Sequence, residues 1–189
     1  RDGREHGAQA LQRSAGRADT HVMAGRVPDP HVVTEAGARY QVHVLRSQNH
    51  GLFLDMAAGR HWVRQWAAAF AAQHGHGPRV LNLFAYTCAF SVAALQGRAA
   101  QVVNIDMARG ALAVGQQNHR LNGLLAPGQG GASFLAHDIF STWGKLGRAG
   151  PYDLFIDDPA SYENYTLTPP EAHPRSARGL TVLLARGGQ

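Results

Sequence analysis

Four short apolar runs, separated by stretches of helical periodicity, constrain this chain most. They are Arg79–Phe84, Gln101–Asp106, Ala132–Ala136 and Tyr152–Ile156. Each is strand-sized and lacks polar alternation, which is the pattern of strands buried on both faces. Between them, Phe90–Gln96 reads as a helix of small residues stopped by Gly97. Ala108–Leu121 reads as a second helix, stopped by Asn122 and Gly123. Ahead of the first run, Trp62, Val63, Trp66, Ala69 and Phe70 recur at helical spacing across Arg60–Gln73, and Gly75, Gly77 and Pro78 end that helix. Strands that alternate with helices this closely pair in parallel through crossovers, with helices covering the sheet. The predicted fold class is therefore α/β, a doubly wound, mainly parallel Rossmann-like sheet.

The region before the sheet divides in two. Residues 1–30 are rich in Gly, Arg, Ala and His and end on Pro28 and Pro30, so irregular structure is predicted. His31–Glu35 and Arg39–Leu45 flank Gly37 and read as an N-terminal β-hairpin, followed by a short strand at Leu52–Asp55. The expected organisation is an irregular segment over 1–30, a hairpin extension over 31–59 and a ligand-binding domain over 60–189.

In an open parallel sheet, ligands sit outside the carboxyl ends of the strands. That rule selects 82–90, 106–107, 137–138 and 157–160. The first strand runs from Asn82 into Phe84-Ala85-Tyr86-Thr87-Cys88, where a helix start offers free N–H groups to an anion. No glycine occurs at 84–90, so the dinucleotide fingerprint is absent, and so is the phosphate-loop lysine pattern. Asp106 closes the second strand, where a carboxylate can accept from both hydroxyls of a ribose; the plainer alternative is an Asp cap for the following helix. Met107 is placed to pack on a base. Asp138 follows the third strand, placed to accept from an amino group. Asp157 and Asp158 follow the fourth, with Pro159 fixing the loop and Tyr162 offering a stacking face.

Composition narrows the function classes. A single cysteine, Cys88, excludes an intramolecular disulfide and a Cys-rich zinc site. His74 and His76 read as a solvated turn and the remaining histidines as surface, so no metal is expected. No apolar stretch reaches membrane-spanning length and the start lacks a signal pattern, so a cytoplasmic protein is expected. The net charge is +5, with an isoelectric point near 10.0, which permits nucleic acid as a partner.

The motifs resemble those of class I S-adenosylmethionine-dependent methyltransferases of the bacterial 23S ribosomal RNA type. The matching stretches are QNHGLFLDM (48–56), VLNLFAYTCAFSVA (80–93), VVNIDM (102–107), NHRLNG (118–123), HDIF (137–140) and YDLFI (152–156). The resemblance implies S-adenosylmethionine as methyl donor and a ribosomal RNA base as acceptor. It places Asp106 on the ribose, Asp138 and Ile139 near the adenine, and the 82–88 turn under the methionine part. Phe53 and Asp55 approach the cofactor from the preceding hairpin, and Asp158, Pro159 and Tyr162 lie at the catalytic, target-base end. Ala160 departs from the family's second proline in that loop. The resemblance also reads 180–188 as a helix and turn and leaves the family's last strands missing. Methylation of a pyrimidine carbon generally needs a thiolate. Cys88 lies in the cofactor turn instead, so a base nitrogen is the expected target. The competing readings are a methyltransferase for a protein or small molecule, and an inactive cofactor- or RNA-binding module.

Overall fold

The computed structural model describes residues 22–46, 50–125, 131–139, 141, 144, 146 and 150–157, with the backbone of 181–184. Residues 22–30 are irregular as expected, and the first 21 lie outside the described set. The hairpin is present: β1 (His31–Glu35) pairs antiparallel with β2 (Ala38–Val42), Glu35 opposite Ala38. Gly37 sits at φ 82 in the turn, a conformation that costs glycine little. The strand expected at Leu52–Asp55 is not formed. A 3-10 turn spans Leu54–Met56 and leads directly into helix α1 (Ala57–His74). Four residues with no strand partner find their backbone bonds locally, as in Met56 N–H to Phe53 C=O at 3.3 Å.

The main sheet holds β3 (Arg79–Leu83), β4 (Gln101–Asp106), β5 (Gly131–Ala136), β6 (Leu154–Asp157) and β7 (Thr181–Leu184), in the spatial order β5-β4-β3-β6-β7. The first four pair in parallel, which confirms the doubly wound reading. Helices α2 (Ala89–Gln96) and α3 (Arg109–Leu121) follow β3 and β4. The chain proceeds outward from β3 to β4 and β5, then returns to place β6 on the other side of β3. The switch point is therefore at β3, and a ligand crevice is expected beyond its carboxyl end.

One expectation fails at the sheet edge. Residues 181–184 are not helical but form β7, antiparallel to β6 with Val182 opposite Ile156. Thr181 and Val182 are β-branched, and their lost side-chain freedom is better tolerated in a strand than in a short helix.

Strand alternation builds two cores. Val80, Val102, Leu154 and Ile156 join Val63 of α1 and Phe90, Ala94 and Leu95 of α2 in one. Leu81, Leu83, Val103 and Ile105 point the other way, onto Ile139, Leu146 and Tyr152. No helix among the described residues is long and apolar enough to cross a membrane.

Candidate functional site

The turn after β3 carries the most unusual backbone among the described residues. Phe84, Tyr86 and Cys88 have φ of 49°, 46° and 59°, three non-glycine residues in the left-handed region within five positions. Each costs on the order of 1–3 kcal/mol and persists only where its surroundings over-determine it. The restraints are visible. Ala85 N–H donates to Ile105 C=O at 2.9 Å and Cys88 N–H to Ala85 C=O at 2.7 Å. Tyr86 N–H donates to Asp106 Oδ2 at 2.8 Å. The Tyr86 hydroxyl accepts from Gly51 N–H at 3.2 Å, and Thr87 Oγ1 donates to Gly51 C=O at 2.6 Å. Cys88 is also the N-cap of α2, so the first N–H groups of that helix open beside the turn without intrahelical acceptors.

Asp106 serves the backbone at both oxygens. Oδ1 accepts from Ala108 N–H at 2.7 Å while Oδ2 holds Tyr86. Asp106 is not a helix cap: Ala108 is the N-cap of α3, no side chain caps that helix, and the Asp106 bond falls on the Ala108 N–H just ahead of it. Lone pairs remain on each oxygen, because a carboxylate has about four acceptor sites and these bonds use two. Beyond it Met107 is 72% exposed.

Phe53 is half-exposed and its ring lies 5.2 Å from that of Tyr86, tilted by 42°. Phe53, the 84–88 turn and Asp106 thus form one constellation at the carboxyl ends of β3 and β4. Asp138 is exposed and Ile139 is buried against Phe84 and Leu135, one strand further out. Asp55 is exposed and lines, with Phe53, Leu54, Val33 and Val44, an open hollow of about 630 Å³ on the hairpin side. A smaller cavity of about 30 Å³ lies between Phe53, Met56, Arg60, residues 84–87 and Phe90. Neither is lined by Asp106, Met107 or Asp138.

Asn82 is the exception among the candidates. Its side chain is 2% exposed and points into the core, donating to Asn104 Oδ1 at 2.9 Å. Asn104 Nδ2 in turn donates to Ser91 Oγ at 3.1 Å, and Ser91 Oγ lies 2.9 Å from His119 Nε2. His119 Nδ1 is 2.7 Å from Gly115 C=O, so it carries the proton and Nε2 accepts from the Ser91 hydroxyl. Burial pushes the His119 pKa down and keeps the ring neutral. The expectation that the histidines outside 74–76 lie on the surface fails here and at His43, which is buried against Asp29 at 2.6 Å. Asp158, Pro159 and Tyr162 lie outside the described residues.

Cys88 is fully buried, and burial pushes its thiol pKa far up, with Asp106 adding to the rise. It is not available as a thiolate. α3 packs so closely on it that a Cβ at Gly115 would lie 2.5 Å from Cys88 Sγ. Among the described residues, no three His, Cys, Asp or Glu side chains group as a metal site.

Two features of the site were given no role from sequence, although Asn118 and Asn122 fall in the matching stretch NHRLNG. Arg60 is 3% exposed and binds Glu35 through two 2.7 Å contacts while donating to Phe53 C=O at 2.9 Å, which ties α1, the hairpin and the Phe53 segment together. Asn118 and Asn122 line the free edge of β2: Asn118 Oδ1 accepts from Gln41 N–H, and Asn122 bonds Arg39 at both N–H and C=O. Their spacing of four on α3 is the signal available in the sequence.

Comparison with known proteins matches this geometry to one family. The family described as S-adenosylmethionine-dependent methyltransferase matches residues 4–189. Ribosomal RNA large subunit methyltransferase I of Aeromonas hydrophila subsp. hydrophila is 34% identical over 146 residues, covering 76% of this chain and 34% of that protein. Ribosomal RNA large subunit methyltransferase K/L of Psychrobacter sp. (strain PRwf-1) is 34% identical over 156 residues, 82% of this chain and 18% of the relative. The chain thus spans about a third of the first relative's length and less than a fifth of the second's. The crystal structure of SMU.776 complexed with SAH superposes with a TM-score of 0.63 at 29% identity, over 74% of this chain and 34% of that one. The chain belongs to the S-adenosylmethionine-dependent methyltransferase family.

Proposed function

We propose that this chain is the cofactor-binding part of a cytoplasmic enzyme that methylates a base of ribosomal RNA. The observation that carries the cofactor site is Asp106, held at the end of β4 by Tyr86 and Ala108 with acceptor capacity to spare. Two adjacent hydroxyls of a ribose suit that capacity. Thr87 N–H has no hydrogen-bond partner among the described residues, and the open start of α2 lies beside it, so a carboxylate of the methionine part fits there. Asn82 contributes backbone only, while Phe84, Ala85, Tyr86, Thr87 and Cys88 form the cradle. Phe53 and Asp55 supply the hairpin-side wall, Met107 covers the adenosine, and Asp138 with Ile139 flanks the adenine.

S-adenosylmethionine supplies a methyl group already activated on a sulfonium. The protein's part is to align the acceptor in line and to exclude water. Chemistry at a pyrimidine carbon would require a thiolate from outside these 189 residues, because Cys88, their single cysteine, is sealed under α3. RNA as acceptor is supported by the names of the relatives and by the net charge of +5. Asp158, Pro159 and Tyr162 would hold the target base, with Tyr162 replacing lost base stacking, worth roughly 1–3 kcal/mol.

The test is transfer of labelled methyl from S-adenosylmethionine by the full-length protein to large-subunit ribosomal RNA, ribosomal protein and small-molecule fractions. Label in RNA is expected, lost in Asp158→Asn with SAH affinity unchanged. Label confined to protein or small molecules overturns the acceptor.

A further inference from the structure

Asn118 touches neither the strand ends nor any residue proposed to contact the acceptor, yet it joins the two walls of the site. Its side chain is fully buried on α3. Oδ1 accepts from Gln41 N–H of β2 at 2.8 Å, and Nδ2 donates to Thr87 C=O at 3.0 Å. One primary amide thus faces a donor on the hairpin and an acceptor in the turn. The orientation is fixed by chemistry, because a flipped amide would set oxygen against oxygen and N–H against N–H. No other side chain of this length both accepts and donates in that way.

The Thr87 carbonyl is the controlling point of the turn. It belongs to the peptide whose N–H, on Cys88, donates to Ala85 C=O. Holding that carbonyl toward α3 fixes the plane of the peptide that joins Thr87, which follows the left-handed Tyr86, to the left-handed Cys88. It thereby aims the turn's remaining donors, Thr87 N–H and the first N–H groups of α2, toward the crevice.

We infer that Asn118 is a positioning residue for the methyl donor: its amide locks the Thr87 carbonyl, and with it the anion-binding face of the 84–88 turn, to the hairpin. This rests on the reading of that turn as the cofactor cradle. The neighbouring Asn122 provides a built-in control. It grips the same edge of β2 through Arg39 N–H at 2.9 Å and Arg39 C=O at 2.7 Å, and also donates to Asn118 C=O, but it does not touch the turn.

The experiment compares Asn118→Asp with Asn122→Asp in the full-length protein. Each change keeps an acceptor for the hairpin N–H and removes a donor. SAH affinity is read by calorimetry, KM for S-adenosylmethionine and kcat by methyl transfer, and Tm by thermal melting. Asn118→Asp is expected to raise the SAH Kd and the KM by about tenfold or more, with kcat at saturating donor within about threefold of wild type. Asn122→Asp is expected to lower Tm comparably while leaving the SAH Kd within about twofold. If Asn118→Asp does not fold, Asn118→Ala takes its place, with a smaller rise in Kd because water can reach both partners. An unchanged Kd, or a loss matched by Asn122→Asp at equal Tm, overturns the inference. Asp106→Ala separates the two levels: if it abolishes SAH binding while the Asn118 variants do not weaken it, only the role of Asn118 falls. If Asp106→Ala binds as wild type, the cradle reading falls and takes the inference with it.

Discussion

Replacing Arg60 by methionine removes the buried cation that joins three elements. Three charge-assisted bonds are lost, two to Glu35 and one to Phe53 C=O. Breaking a buried pair from one side typically costs 3–5 kcal/mol, because the partner is left charged and unpaired. The Glu35 side chain is 23% exposed and can turn partly to water, so the lower end applies, about 3 kcal/mol. For a domain of this size that corresponds to a fall in Tm of roughly 6–12 °C. Arg60→Lys keeps the charge but not the planar fork, so it should fall between wild type and Arg60→Met. The double variant Arg60→Met with Glu35→Gln should be less unstable than the two single losses added together, since no unpaired charge remains. Urea and thermal denaturation of wild type, Arg60→Met, Arg60→Lys, Glu35→Gln and the double variant measure all of these. A cost below about 1 kcal/mol for Arg60→Met, or strict additivity in the double variant, would refute the argument that this pair is the buried link between hairpin and α1.

Three further outcomes follow from the site. Cys88, buried and protonated, should resist alkylation by iodoacetamide near pH 8 in the native protein and react fully in denaturant; native-state labelling at the denatured rate contradicts the packing under Gly115. His119 has its pKa lowered from the ordinary 6.5, so below that pH the unfolded chain takes up a proton that the folded chain refuses. Stability should therefore fall as pH drops through about 6.5, with a shallower slope in His119→Gln, and an unaltered slope would remove His119 as its source. Asp106→Ala should weaken SAH binding more than Asp138→Ala, since it removes two charge-assisted bonds, each worth roughly 1.5–3 kcal/mol, against one; equal losses would mean the ribose is held elsewhere.

The sheet was legible because its strands are buried on both faces and their apolar runs are local. β4 spans Gln101–Asp106 as expected, and β3 and β5 differ from expectation by one residue at an end. The strand-end rule then brought the 84–88 turn and Asp106 to one place, and the resemblance set Phe53 beside them, before any distance was known. Two segments misled. Leu52–Asp55 is four residues long, where period alone cannot separate strand, helix and turn, and at 180–188 the helix and turn were what the resemblance implied, where the structure has a strand over 181–184. Asn82 was expected at the crevice, but it lies two residues after Val80 and so shares its face, toward the core; the alternation already contained that answer. Arg60, Asn118 and His119 were not legible as a group. Their partners Glu35, Gln41 and Ser91 lie 25, 77 and 28 positions away, and no local pattern encodes those pairings.

A crystal structure of the protein with SAH bound tests the proposed cofactor site most directly. The account predicts both ribose hydroxyls within about 3 Å of the Asp106 carboxylate and the carboxylate of the methionine part at the start of α2. An adenosine seated instead in the hairpin hollow between Val33, Val44 and Leu54, with Asp106 contacting only Tyr86 and Ala108, would contradict it.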